Sequence, residues 1–238
     1  ASVYLASLGM WIVPACILTG AVLGACSGIV TTRFLVPSFI STLAIGMVCY
    51  SIAQWLSGNR ALYMNAEKRD ALFGWMLSST GIIPNTIFVG AGVFIFVLLI
   101  ERKFVLGRRL KAVGSAELAA AASGIKVARV KVLAFALSGG LAALAGVIFS
   151  IKLSGGAPSI ANGFLLPAIV AVLVGGTPLT GGVGGVVNTL VGTMIVAVIR
   201  ASMLYLEVDA THQQMVFGLI LITAIVFTID RSKLTIVK

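Results

Sequence analysis

The sequence predicts an all-α, polytopic bundle of membrane helices, and three observations carry that reading. Hydrophobic residues make up 59% of the 238 and charged residues only 10%, where soluble domains carry about 25% charge. Mean hydropathy is +1.12. The apolar residues also gather in long separate runs rather than in the strict alternation of a half-buried sheet. So little polar surface cannot coat a soluble globule. A span takes about 20 residues plus a connection, so roughly eight crossings is the ceiling and no large soluble domain fits. Residues 1–238 therefore read as one transmembrane domain of about seven membrane segments, one of them short.

The runs extend over about Leu8–Val30, Val36–Leu56, Ile82–Ile100, Val132–Ile151, Phe164–Gly176, Val183–Ile199 and Met215–Ile229. In the first, Gly20, Gly24 and Gly28 recur every four residues, a spacing that lets one helix backbone approach another. Gly181 and Gly185 repeat the spacing and are expected to pack helix on helix in the same way. Asn188 is the one strongly polar side chain well inside a run. The fifth run is shorter than a normal span. Pro167 near its start and Gly175-Gly176-Thr177-Pro178 after it suit either a short crossing or a re-entrant segment.

Positive charge separates these two options. With the basic stretch Arg102–Lys131 taken as cytoplasmic, a crossing fifth run places twelve of the seventeen Lys and Arg inside and five outside; a re-entrant one gives ten and seven. Cationic residues accumulate on the cytoplasmic side, which favours the crossing. The C-terminus is then cytoplasmic and Ala1 outside. The outer connections become Ser57–Gly81, Lys152–Gly163 and Ala201–Gln214, with one long inner loop over about Glu101–Lys131. An inside-starting chain would need an odd number of further spans upstream. Together with the absence of an initial Met and of a signal-peptide pattern, this reads as a fragment or processed form.

The inner loop (101–131) is the sizeable polar segment. Ser115 followed by Glu117 through Ala122 predicts an alanine-rich helix with Ser115 as its N-cap, stopped by Gly124. Arg102, Lys103, Arg108, Arg109 and Lys111 precede it, and Lys126, Arg129 and Lys131 follow. Such a helix suits either docking on a partner or lying on anionic headgroups.

Several function classes are excluded or disfavoured. Net charge is +10, but most aromatics lie in or beside apolar runs and do not interleave with the basic residues, so nucleic-acid binding is not expected. Cys16, Cys26 and Cys49 lie in apolar stretches without CxxC spacing and read as small hydrophobes. No GxxxxGK motif is present, and the Gly175–Gly185 run has no lysine, so the chain is not expected to bind or hydrolyse ATP itself. His212 has no second ligand at helical spacing and no metal site is indicated. Glu101, Glu207, Asp209 and Asp230 all fall at or beyond run ends. A proton-coupled transporter keeps ionisable groups at membrane depth, so the energy for uphill movement is expected from a partner.

Two stretches carry a family resemblance. The first runs from Phe104-Val105-Leu106-Gly107-Arg108-Arg109 through Ala112-Val113-Gly114, Glu117-Leu118-Ala119-Ala120-Ala121-Ala122-Ser123-Gly124-Ile125 and Val130-Lys131 into Leu137-Ser138-Gly139-Gly140. The second is Ile169 to Gly184, centred on Gly175-Gly176-Thr177-Pro178-Leu179-Thr180-Gly181-Gly182 and continuing to Gln213-Gln214. A weaker third is Gly24 to Gly28 followed by Val36-Pro37-Ser38-Phe39-Ile40. The chain resembles the permease subunits of bacterial ribose-type simple-sugar ABC importers over essentially its whole length. It departs from them at the front, where the family's further spans and Gly-Gly-Ile-Asp-Leu-Ser-like segment are not found.

The resemblance implies a non-enzymatic translocation subunit in the bacterial inner membrane, moving a ribose- or galactose-like monosaccharide or polyol from periplasm to cytoplasm. Its implied partners are a second permease, identical or paralogous, two cytoplasmic ATPases that hold ATP and Mg, and an extracytoplasmic sugar-binding protein. This chain would carry no cofactor of its own. Ser115, Glu117, Ala119, Ala120, Ala121, Ser123, Gly124 and Lys126 would form the coupling helix and its anchors, flanked by Arg108 and Arg109. Gly175, Gly176, Thr177, Gly181, Gly182 and Asn188 become gate or pathway candidates, the glycines permitting an irregular backbone or a tight turn. Arg60, Lys68, Arg69, Glu207 and Asp209 on the outer connections are candidates for pairing with the binding protein. The alternatives are a branched-chain amino acid ABC permease and a passive channel or facilitator without an ATPase.

Overall fold

The computed structural model describes residues 11–63, 66–81, 83–178 and 181–228. The seven apolar runs all form helices: α1 (Ile12–Arg33), α2 (Ser38–Ser57), α4 (Thr86–Lys103), α7 (Val127–Lys152), α8 (Leu165–Val174), α9 (Val186–Tyr205) and α10 (Ala210–Thr228). Between them lie α3 (Ala66–Leu77), α5 (Val105–Ser115) and α6 (Glu117–Ala122). Among the described residues four helices, α1, α2, α7 and α9, are long and apolar enough to cross a membrane. At 1.5 Å per residue α8 is only about 15 Å long, half the hydrocarbon thickness of about 30 Å. A 3-10 segment, Pro158–Phe164, leads into it. Large apolar side chains such as Leu18, Met47, Phe96, Val198 and Leu219 point outward and are exposed, the surface expected of helices solvated by lipid. The chain is a multi-pass, all-α membrane protein.

It divides into two compact units. In the first (Ala1–Ile95 and Gly124–Ile160), α1 and α7 pack antiparallel along the predicted glycine stripe. A Cβ on Gly20 would lie 2.5 Å from the Gly139 carbonyl oxygen, one on Gly28 would lie 2.9 Å from Val132 Cα, and one on Gly24 would run into the Phe135 carbonyl. Between helices already solvated by lipid, close van der Waals packing replaces the hydrophobic drive, so the missing side chains are what make the contact. Across α1 and α2 the buried Ser41 hydroxyl donates to the Ser27 carbonyl oxygen at 3.1 Å.

The polar connections of this unit are more ordered than their composition suggests. β1 (Leu62–Tyr63) pairs antiparallel with β4 (Gly155–Gly156), joining the connection after α2 to the one after α7. Phe73 and Met76 of α3 pack on Cys16, Val147 and Ile151. Arg69 pairs with Asp70 at 2.6 Å and donates to the Ser154 hydroxyl, so its charge is already engaged within the chain. β2 (Ser79–Thr80) and β3 (Ile83–Pro84) form a tight hairpin, held by buried Asn85, which donates to the Trp75 carbonyl at 2.7 Å and accepts from the Thr80 hydroxyl at 2.6 Å. The side chain of Lys68 lies outside the described residues.

In the second unit (Phe96–Ser123 and Ala161–Lys238), α8 and α9 form an antiparallel hairpin around Val170, Ala171, Val196, Met203 and Phe217, the last contributed by α10. Gly175 lies against the Asn188 carbonyl and Gly192 against the Ala171 carbonyl. Arg200 stacks 4.4 Å above the Phe164 ring. The α9–α10 turn is closed by Gln213, whose side-chain amide donates to the Val208 carbonyl at 2.8 Å. Leu179, Thr180, Asp230, Arg231, Lys233 and Lys238 lie outside the described residues.

Candidate functional site

The apolar part of α4 ends at Ile100, and Glu101-Arg102-Lys103 form a polar last turn beyond it. Gly107 is buried, and a Cβ there would lie 2.5 Å from the Ile100 carbonyl; its absence lets α5 fold back over the end of α4. The inward side of α5 carries Leu106, Gly107, Leu110, Val113 and Gly114, whereas Arg108, Arg109 and Lys111 are exposed. The 106–110–113 spacing is an amphipathic helix signal.

Glu101 is the polar centre of the site. One carboxylate oxygen, Oε1, pairs with Lys111 Nζ of α5 at 2.7 Å. The other, Oε2, accepts the backbone N–H of Val186, the first residue of α9, at 2.9 Å. A carboxylate at a helix N-terminus also meets the positive end of the helix dipole. Burial raises the Glu101 pKa, but the Lys111 bond, the Val186 N–H and the Arg102 charge outweigh it and hold the carboxyl below its ordinary value.

Beside this bridge two backbones touch. A Cβ on Gly114 would sit 2.6 Å from the Gly182 nitrogen, and one on Gly182 would sit 2.6 Å from Ser115 Cα. Gly181, Gly182 and Gly184 have φ of +81°, +80° and +103°, the left-handed region that favours glycine. The expectation that Gly181 and Gly185 pack as a helix face is therefore corrected. They belong to an irregular turn before α9, because positive φ at Gly181, Gly182 and Gly184 cannot continue a helix. The two sequence stretches that carry the family resemblance meet at Gly114, Ser115 and Gly182. The turn lies at the same end of the second unit as the α4–α5 corner.

The loop helix also differs in detail from its sequence reading. Ser115 is not its N-cap: it ends α5, and its hydroxyl donates back to the Ala112 carbonyl at 3.1 Å. The cap position falls on Ala116 in an extended conformation, with no side-chain bond. The helix is shorter than Ser115–Gly124, running Glu117–Ala122, and Gly124 at φ +82° follows it. Ala120 is buried, whereas Leu118 is 88% exposed. Glu117, Ala119, Ala121, Ala122 and Ser123 are exposed, as is Lys126 just before α7. Asn188 occupies only the third position of α9, near its end rather than at mid-span, with its side chain exposed. Gly176 has φ +79° in open space. The Thr177 hydroxyl is buried without a hydrogen-bond partner. Sequence reading missed Glu101 and α5; the signal for α5 was the 106–110–113 apolar spacing among the basic residues.

Apolar helices with polar corners define a polytopic membrane protein, and among the described residues no group of three or more His, Cys, Asp or Glu could hold a metal. The family model described as the permease component of the branched-chain amino acid transport system matches residues 1–225, and the chain belongs to this family of ABC transporter permeases. Curated relatives include the ribose import permease protein RbsC of Escherichia coli (strain K12), 30% identical over 93% of this chain and 68% of that protein. RbsC of Bacillus subtilis (strain 168) is 36% identical over 87% of this chain and 63% of its own length. The L-arabinose transport system permease protein AraH of Escherichia coli (strain K12) is 31% identical over 87% and 62%. No solved structure matches the chain.

Proposed function

We infer that the chain is the translocation subunit of an ATP-driven importer for a simple sugar or polyol in the bacterial inner membrane. The names of the ribose and L-arabinose relatives support a sugar substrate over a branched-chain amino acid. In this reading α6 is the coupling helix. Its exposed Leu118, Ala119, Ala121 and Ala122 offer a small apolar surface to a cytoplasmic ATPase, with Glu117 and Lys126 as charged anchors and Arg108 and Arg109 flanking. The Gly175–Gly182 turn, with Thr177 and Asn188, forms the inner gate. The C-terminus is cytoplasmic, and a second permease, two ATPases holding ATP and Mg, and an extracytoplasmic sugar-binding protein complete the assembly. The observation that carries the reading is the seating of α5 on the glycine turn through Gly114 and Gly182, which joins the loop to the α8–α9 hairpin. An isolated facilitator would have no use for such a joint.

The test is affinity purification of the full-length protein from detergent as wild type, Glu117→Arg and Ala120→Pro. A P-loop ATPase that accompanies the wild type and is lost from both variants, with ATP-dependent uptake lost in parallel, is the expected result. Absence of any ATPase from the wild type would favour the facilitator, and undiminished uptake at normal expression in both variants would remove α6 from coupling.

A further inference from the structure

We propose that Glu101 is a positioning residue that ties the α5–α6 loop to the start of α9, so that displacement of the loop is transmitted to the α8–α9 hairpin. The proposal deepens the importer reading and rests on it for its consequence in transport.

The two oxygens of this carboxylate serve different elements. Oε1 binds Lys111 at 2.7 Å on α5 and Oε2 binds the Val186 N–H at 2.9 Å on α9, while Glu101 itself is fixed to the end of α4. The Glu101 side chain is 16% exposed and that of Lys111 55%, so the α9 half of the bridge is the better shielded from water. A Cβ on Gly185 would sit 2.8 Å from Oε1, so the carboxylate lies directly against the backbone that precedes α9. Alongside, the Gly114–Gly182 contact stops α5 from approaching the turn more closely. The pair therefore acts in both directions: the glycine contact transmits a push and the carboxylate bridge transmits a pull. A charge-assisted bond to a helix N-terminus is among the stronger polar contacts, whereas an exposed Lys–Glu pair alone contributes little. The Val186 half is thus the part that matters.

The test uses spin labels at Leu118→Cys and Val183→Cys, both exposed in the parent, in the full-length protein in lipid nanodiscs with the three native cysteines replaced. The parent is expected to give one narrow distance distribution. Glu101→Gln keeps one oxygen acceptor and should broaden it partially, and Glu101→Ala should broaden it fully. The exchange Glu101→Lys with Lys111→Glu restores an ion pair but places no acceptor at Val186, so it should leave the distribution broad. A narrow distribution in Glu101→Ala, or full rescue by the exchange, would overturn the bridge. In proteoliposomes with the partner ATPase and binding protein, Glu101→Gln should lower sugar moved per ATP hydrolysed at least severalfold. An unchanged ratio refutes the transmission role. Lack of any ATPase association in the parent sinks the importer reading instead, and with it the role in transport, while the distance measurement still decides the bridge.

Discussion

Gly182→Ala tests the joint between loop and turn most directly, because the structure separates its cost into two parts. The residue sits at φ +80°, where any L-residue costs roughly 1–2 kcal/mol. Its new Cβ would also lie 2.6 Å from Ser115 Cα and 2.7 Å from the Ser115 nitrogen. Backbone cannot swing aside as a flexible side chain can, so overpacking adds about 1–3 kcal/mol. The expected loss is about 2–5 kcal/mol. Gly176→Ala is the control: its φ is +79° but nothing lies within 4 Å of a built Cβ, so only the conformational cost of about 1–2 kcal/mol remains. Gly114→Ala probes the same contact from α5, with a Cβ 2.6 Å from the Gly182 nitrogen. Once either alanine has forced the backbones apart the second meets less resistance, so the double substitution should cost less than the sum. Equilibrium unfolding in mixed micelles reads all four variants. Equal losses in Gly182→Ala and Gly176→Ala, together with additivity of Gly114→Ala and Gly182→Ala, would falsify the close contact.

Other outcomes follow from the same geometry. Gly24→Leu, whose Cβ enters the Phe135 carbonyl, should cost about 3 kcal/mol or more by the same unfolding assay. Gly46→Ala, in open space on α2, should instead stabilise by about 0.5 kcal/mol through helix propensity. Asn85→Ala removes hydrogen bonds from the Trp75 carbonyl and the Ser78 and Thr80 hydroxyls and should cost about 1–3 kcal/mol, seen as faster proteolysis of the 74–86 turn. Glu101 has a depressed pKa in the folded protein, so its stabilising contribution is complete above the unfolded carboxyl value of about 4.3 and is lost as pH falls through the folded value. The gap in melting temperature between wild type and Glu101→Gln should therefore be largest near neutral pH and close on acidification.

Much of this fold was legible in the sequence because long apolar runs and lipid solvation dictate helices, and each of the seven runs became one. The Gly20-Gly24-Gly28 stripe was legible for a similar reason: four-residue spacing has one geometric meaning on a continuous helix. The same spacing at Gly181 and Gly185 misled, since spacing carries that meaning only where the chain is helical, and Pro178 and the surrounding glycines break the helix here. Ser115 was read as an N-cap from its residue type, but its hydroxyl had an alternative acceptor in the preceding turn, Ala112. Glu101 was passed over because it looked like any charge at a span end. Its partners, Lys111 and Val186, are ten and eighty-five residues away, and the second can be found only once α5 and the turn are in place.

The polar groups of the membrane helices bear on what drives transport and where selectivity lies. Thr32, Thr42, Thr189, Thr193, Ser202 and Thr223 each donate to the carbonyl four residues earlier in their own helix. The donor is used, yet each hydroxyl oxygen keeps lone-pair capacity. A surface of this kind accepts hydrogen bonds weakly and holds no charge. Among the described residues the acidic side chains lie on α3, at Glu101, on α6 and in the α9–α10 turn, so none stands at mid-span to take up a coupling proton. In the importer reading, a path lined by such hydroxyls would suit a solute rich in hydroxyl groups without binding it tightly. Both energy and discrimination then come, in that reading, from partner proteins rather than from a charged group within the bundle.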